Sequence, residues 1–82
     1  MDDYIQRTDG KVTLAWTRED LKNKIVVIEG RRFGSCLPWQ ILAEVSVPEA
    51  RLIWVRDGWR DEPLLFDLVT EICAACAARV AA

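Results

Sequence analysis

PLLFDLVTEICAACAARV, residues Pro63–Val80, decides the fold, because it has the length and the periodicity of one long helix. At 100° per residue its apolar side chains gather on one face and its polar side chains on the opposite face. The apolar face holds Leu65, Leu68, Val69, Ile72, Cys73, Cys76 and Val80, and the polar face holds Asp67, Thr70 and Glu71. The pattern predicts a C-terminal helix over residues 62–80 that packs on the residues before it.

Both ends of this segment carry helix-boundary signals. Pro63 suits the first helical position, where its missing N–H is no loss. Asp61 and Glu62 place negative charge beside the positive end of the helix dipole, and Arg79 lies near the negative end. These signals indicate a helix that begins at about Pro63.

Residues 1–58 are predicted to be mainly β-structure. The Asp9-Gly10 turn signal, followed by alternation over Lys11–Trp16, predicts a hairpin. Thr17 and the acids after it are typical of a helix start, so a short helical connector is expected there. The β-branched run Ile25–Ile28 predicts a central strand, and Arg51–Arg56 is a further strand.

Residues 38–47 fit two structures. Alternation of apolar and polar side chains from Trp39 to Val47 is a strand period, whereas Pro38 with Leu42 and Val45 also permits a short helix. We favour the strand. The chain is then α+β, with a small antiparallel sheet of about 4–5 strands packed against one long C-terminal α-helix. Its length indicates one small domain, residues 1–82.

Composition excludes several classes of protein. The chain has 82 residues and a formal charge of −2, so it lacks the basic balance that non-specific nucleic-acid binding uses. No apolar run approaches the ~20 residues that span a bilayer, and the acidic start, MDDYIQRTDG, does not resemble a signal peptide. We therefore expect a cytoplasmic protein with no membrane insertion.

The sequence gives little support for a catalytic site, a metal site or a cofactor site. The absence of histidine removes the commonest general base and the commonest metal ligand. Cys73-x-x-Cys76 lies inside the predicted helix, away from the N-terminus where a redox dithiol is activated. Only Cys36 remains as a further thiol ligand, so we interpret the pair as small buried hydrophobes. We expect a non-enzyme with no catalytic residues, no metal and no cofactor.

Tryptophan and arginine point to a binding surface, since both are enriched at interface hot spots. Trp16 and Trp54 lie within predicted strands and are the expected core members. Trp39, Trp59 and several arginines lie in or near two predicted loops, Gly30–Ser35 and Arg56–Arg60. The candidate partner-binding residues are Arg31, Arg32, Phe33, Trp39, Arg56, Trp59 and Arg60. The competing interpretation is that Trp59 covers the sheet–helix core and the arginines are simply solvated.

The second half of the helix suggests another interface. No residue from Ile72 to Ala78 is polar, and a helix that is apolar all round normally has neighbours on more than one side. Ala74, Ala75 and Ala78 are the candidate contacts for a homodimer or a docked partner. Alternatively, alanine is present only because it is the best helix former.

These observations favour a small non-enzymatic regulator or inhibitor that occludes a surface of a partner protein. Host-directed inhibitors encoded by bacteriophages belong to this class. One alternative is nucleic-acid binding through a local arginine and aromatic face, with bases stacked on the rings. Another is a structural subunit that homo-oligomerises through the alanine-rich helix.

Overall fold

The computed structural model describes residues 4–34 and 38–81, with side chains described as far as residue 79. The elements are β1 Tyr4–Asp9, β2 Val12–Thr17, a 3₁₀ helix Arg18–Lys22, β3 Ile25–Arg32, β4 Gln40–Ser46, β5 Arg51–Val55 and α1 Pro63–Ala81. The predicted α+β class is confirmed, with five strands and one C-terminal helix among the described residues. The strand interpretation of residues 38–47 is also confirmed, since β4 occupies most of them.

The five strands form one antiparallel sheet in chain order, so each strand pairs with its neighbours in the sequence. β1 and β2 are joined by a two-residue turn, Gly10-Lys11, in which Gly10 has φ 55°. Glycine adopts this left-handed conformation at little steric cost. α1 covers one side of the sheet, which we call the helix face. The other side is the open face, over which no helix of the described residues lies.

The core lies between the helix face and α1. The sheet contributes Val12, Leu14, Trp16, Val26, Ile28, Leu42, Ala43, Val45 and Val55, and the helix contributes Leu65, Leu68, Val69, Ile72 and Cys76. These five helix residues belong to the predicted apolar face. Cys73 is only half-buried, and the side chain of Val80 lies outside the described residues.

Gly30 shows how tightly the helix face is packed. The predicted loop at Gly30–Ser35 is wrong in its first half, because Gly30, Arg31 and Arg32 belong to β3, while Ser35 lies outside the described residues. A Cβ on Gly30 would lie 2.6 Å from a Leu14 methyl and 2.8 Å from a Leu42 methyl. Glycine is therefore needed here for close packing rather than for a turn.

Two β-bulges decide which side chains face the core. In β4 the extra residue is Leu42, opposite the Ile28–Glu29 step of β3, so Leu42 and Ala43 are both fully buried. In β5 the extra residue is Ile53, because Val45 pairs with Leu52 and Glu44 with Trp54. Strict alternation would have placed Trp54 on the same side as Leu52.

Trp54 is consequently on the open face and 42% exposed, so its predicted core position is wrong. Trp16 is buried as expected, at 2% exposed. Its indole N–H has no hydrogen-bond partner among the described residues. Trp59, in the segment that joins β5 to α1, is 6% exposed and belongs to the core.

Local signals before both helices act as the sequence predicts. The Thr17 hydroxyl accepts a hydrogen bond from the Glu19 backbone N–H at 3.3 Å and so caps the 3₁₀ helix. The Glu62 carboxylate accepts from the Leu64 backbone N–H at 3.3 Å at the start of α1. No helix of residues 4–34 and 38–81 is both long enough and apolar enough to cross a membrane.

Candidate functional site

The open face exposes several large apolar side chains. Tyr4 is 58% exposed, and Trp39, Ile41 and Trp54 are each about two-fifths exposed (37%, 42% and 42%). Ile41 and Trp54 lie on adjacent strands, β4 and β5. We call Tyr4, Trp39, Ile41 and Trp54 the open-face patch. Exposed apolar residues that cluster in this way mark an interaction surface more often than scattered ones do.

Two glutamates lie within this apolar surface. The strand register places Glu29 between Ala15 of β2 and Ile41 of β4. It places Glu44 between Val27 of β3 and Trp54 of β5. Both glutamates are half-buried. Each carboxylate is thus flanked by apolar neighbours on both adjacent strands.

Neither carboxylate is paired with another side chain of the described residues. The ion pairs within residues 4–34 and 38–79 use the carboxylates of Glu49, Glu62 and Glu71. Side-chain hydrogen bonds of the same residues involve neither Glu29 nor Glu44. A carboxylate that lies among apolar side chains can form a charge-assisted hydrogen bond with a cationic group of a ligand.

A cavity of about 250 Å³ opens on this face beside Glu29. It is lined by Tyr4, Gln6, Ala15, Glu29 and Trp39. β1, β2 and β3 contribute the first four residues, which lie on the open face because Gln6 pairs with Ala15 and Ala15 with Glu29. Trp39 comes from the segment just before β4. Two aromatic rings and one carboxylate therefore share a single concavity.

Arginine–tryptophan contacts border the patch. The Arg31 guanidinium carbon lies 5.8 Å from the Trp39 ring centroid, and that of Arg56 lies 5.7 Å from the Trp54 centroid. Both distances are near the outer limit of about 6 Å for a cation–π interaction. Arg56 Nε also donates to the Ile41 carbonyl at 2.7 Å, which fixes this side chain across the end of β4.

A second depression, of about 430 Å³, lies where β5 ends. It is lined by Gln40, Trp54, Val55, Arg56, Asp57, Trp59 and Arg60. Three of the candidate residues from the sequence, Arg56, Trp59 and Arg60, are thus brought together. Of these, Arg60 is exposed and Trp59 is almost completely buried.

Arg32 and Trp59 contact each other, with Trp59 buried and the Arg32 side chain half exposed. The Arg32 guanidinium carbon lies 4.2 Å from the Trp59 ring centroid, and its Nη2 donates to the Gly58 carbonyl at 2.9 Å. Arg32 pairs with Val12 and so belongs to the helix face, opposite Arg31. The seven candidate residues therefore do not form one surface. Phe33 is 84% exposed in the turn after β3.

The proposed second interface on α1 is partly accessible. Ala74 and Ala78 are exposed, whereas Ala75 is half-buried and packs against the core. Burial raises the pKa of the Cys73 thiol, and burial together with the charge of Cys73 raises the pKa of the Cys76 thiol. No cluster of metal-ligating side chains occurs in the part of the chain that the structure describes.

Sequence reasoning missed most of the open face. It selected Arg31, Trp39 and Arg56 from this side but not Tyr4, Gln6, Glu29, Glu44 or Ile41. A signal was present at Glu29, because a charged residue directly follows the four apolar residues Ile25–Ile28.

No protein-family model, curated protein or solved structure matches this chain.

Proposed function

We propose that this protein is a small non-enzymatic regulator or inhibitor that binds a partner protein through its open face and covers a surface of that partner. One observation carries the proposal: α1 covers only one side of the sheet, and the other side leaves Tyr4, Trp39, Ile41 and Trp54 exposed. Tyr4 and Trp39 line one cavity, and Ile41 and Trp54 lie on adjacent strands. Aromatic residues and arginine are enriched in protein interfaces.

The charge on the open face indicates the chemistry of the partner. Glu29 and Glu44 lie inside the apolar area, while Arg31 and Arg56 lie beside Trp39 and Trp54 at its border. A complementary surface is apolar and carries basic side chains that meet the two carboxylates. Complementary charges of this kind set the orientation and the rate of association more than the affinity.

The same carboxylates argue against the nucleic-acid alternative. Bases can stack on Trp39 and Trp54, and Arg31 and Arg56 can contact phosphates. Glu29 and Glu44, however, place two negative charges in the path of a phosphate backbone, and phosphate contacts supply most of the affinity for nucleic acid. The protein-binding function therefore has the better support.

Affinity capture from the native cell tests this function when wild-type protein is compared with matched variants. Trp54→Ala and Ile41→Glu change the open-face patch. Phe66→Ala is the control, because Phe66 is an aromatic residue of similar exposure, 38%, on the helix. We expect one protein to be captured by the wild type and by Phe66→Ala, and to be lost with both patch variants.

The captured protein is then purified and titrated against the same variants. A loss of at least tenfold in affinity for Trp54→Ala is expected, because buried tryptophans at interfaces typically contribute about 2 kcal/mol or more. Circular dichroism shows whether each variant remains folded. Folded patch variants that capture the same proteins with unchanged affinity would rule out the open face as the binding surface.

A further inference from the structure

We propose that the cavity formed by Tyr4, Gln6, Ala15, Glu29 and Trp39 binds one arginine side chain of the partner protein. The source of the arginine rests on the function proposed above, but the chemistry of the cavity does not.

The size of the cavity fits one side chain. Its volume of about 250 Å³ is below the roughly 300–1,000 Å³ of pockets that hold cofactors and small molecules. It opens onto the apolar surface next to Ile41, the cross-strand neighbour of Glu29. A side chain that projects from a partner lying on the patch would reach the cavity directly.

The charge of the cavity favours a cation. Glu29 supplies its carboxylate, and this group has no ion pair or hydrogen bond with the other side chains of residues 4–34 and 38–79. Ala15 and Ile41 on the adjacent strands cannot neutralise it. A guanidinium group entering the cavity would donate two parallel hydrogen bonds to the carboxylate.

The aromatic walls favour arginine over lysine. Tyr4 and Trp39 present ring surfaces, and a planar guanidinium stacks on such surfaces while its edge remains free to bond a carboxylate. The fold already uses this contact, since Arg32 lies 4.2 Å from the ring centroid of Trp59. Gln6 adds an amide oxygen that can accept one further N–H. A lysine ammonium lacks both the planar face and the fork of donors.

Arg31 does not fill the cavity in this structure. Its guanidinium is 5.8 Å from the Trp39 centroid and makes no ion pair with Glu29. It is also absent from the residues that line the cavity. Arg31 thus lies at the border and leaves the carboxylate of Glu29 free for an incoming group.

The test uses short peptides as probes, so that it does not depend on the partner. The whole protein, labelled with ¹⁵N, is titrated with N-acetyl-glycyl-arginyl-glycinamide and with the same peptide carrying lysine or citrulline. Citrulline keeps the shape of arginine but has no charge. We expect the arginine peptide to shift the Ala15 amide and the Trp39 indole N–H with a Kd on the order of 1 mM, the lysine peptide to bind more weakly, and the citrulline peptide to cause no comparable shift.

Matched glutamate variants locate the site. Glu29→Gln keeps the size of the side chain and is expected to weaken binding of the arginine peptide about fivefold. Glu44→Gln, on the same face but outside the cavity, is expected to leave its affinity within about twofold. Each variant is used only if its spectrum shows the native fold.

Three results would overturn the inference: citrulline binding as tightly as arginine, lysine binding more tightly than arginine, or Glu29→Gln leaving the affinity unchanged. Failure of the proposed function gives a different pattern. The arginine peptide would then still bind and depend on Glu29, while capture experiments would find no protein that depends on Trp54.

Discussion

Arg32 covers Trp59: its guanidinium carbon is 4.2 Å from the ring centroid, and its Nη2 donates to the carbonyl of Gly58, the residue before that tryptophan. β3 and the segment leading into α1 are joined by this contact. Arg32 Nη1 also lies 3.9 Å from the carboxylate of Glu62, which caps the helix. Arg32 therefore contacts Gly58, Trp59 and Glu62, which all lie in the segment between β5 and α1.

Replacing Arg32 by alanine should lower the free energy of unfolding by about 1 kcal/mol, since a stacked cation and a charged hydrogen bond are both lost at a half-exposed site. Arg31→Ala is the matched control, because the neighbouring arginine faces the other side of the sheet and is 5.8 Å from its tryptophan. Urea denaturation measures the free energy of unfolding of both variants. Equal stabilities for the two variants would contradict a structural role for Arg32.

Tryptophan fluorescence should divide into two equal classes. Trp16 and Trp59 are 2% and 6% exposed, whereas Trp39 and Trp54 are 37% and 42% exposed. Acrylamide is expected to quench Trp39 and Trp54 readily and the other two only slightly. Trp54→Phe should reduce the quenchable fraction, and Trp39→Phe should do the same. A Trp54 that proves inaccessible would show that β5 lacks its bulge.

Gly30→Ala should destabilise the protein by about 2–3 kcal/mol, the cost of forcing extra volume into a packed core. The new Cβ would lie 2.6 Å from the backbone carbonyl oxygen of Thr13, which cannot rotate away. Gly34→Ala is the control, because Gly34 has φ 81° but open space around it, so only about 1 kcal/mol of backbone strain is expected. Thermal unfolding measures the stability of both variants. A smaller loss for Gly30→Ala than for Gly34→Ala would contradict the close packing.

Burial of the Cys73 and Cys76 thiols predicts how the stability of the fold depends on pH. The folded state raises the pKa of Cys73 and Cys76 above the ordinary thiol value, so it holds their protons more tightly than the unfolded chain does. Their contribution to stability is therefore complete at neutral pH and is lost as the pH rises beyond the unfolded value of about 8.5. In a Cys36→Ser background, we expect slow alkylation of Cys73 that accelerates with pH.

Cys76, which is fully buried, should react only after unfolding. A Cys73→Ala/Cys76→Ala variant should lose stability less steeply above pH 8.5 than its parent does, as measured by urea denaturation at each pH. Rapid alkylation of Cys76 in the native protein would contradict its position in the core.

The alanine-rich end of α1 offers a test of self-association. Ala74→Glu/Ala78→Glu places charge at two exposed positions, so the unfolding free energy should change by no more than about 0.5 kcal/mol. If α1 forms the second interface, light scattering should give a dimer mass for the wild type and a monomer mass for the variant. Equal masses for the two proteins would eliminate a homodimer through these alanines.

The sequence predicted the helix well because a period of 3.6 residues, an N-terminal proline and a flanking acid all agree. Leu65, Leu68, Val69, Ile72 and Cys76 are buried as their spacing requires. β4 was ambiguous for a reason that the structure explains. The bulge at Leu42 turns Leu42 and Ala43 to the same side, and this breaks the alternation that identifies a strand.

The candidate site was less predictable, since it depends on strand register. Trp54 lies outside the core because of one extra residue, Ile53, which turns it outwards. Tyr4, Glu29 and Trp39 are far apart in the sequence and meet only because β1, β2, β3 and β4 pair in this register. Local patterns cannot specify such pairings.

The order of the elements along the chain also has a kinetic consequence. All pairing within the sheet joins strands that are adjacent in the sequence, so the sheet closes only short loops as it forms. α1, however, follows all five strands. Leu14, Ile28 and Val45 must therefore remain uncovered until the last long segment docks. Packing of α1 onto β2, β3 and β4 is therefore the long-range step in assembling the core, because it joins residues that are distant in the sequence.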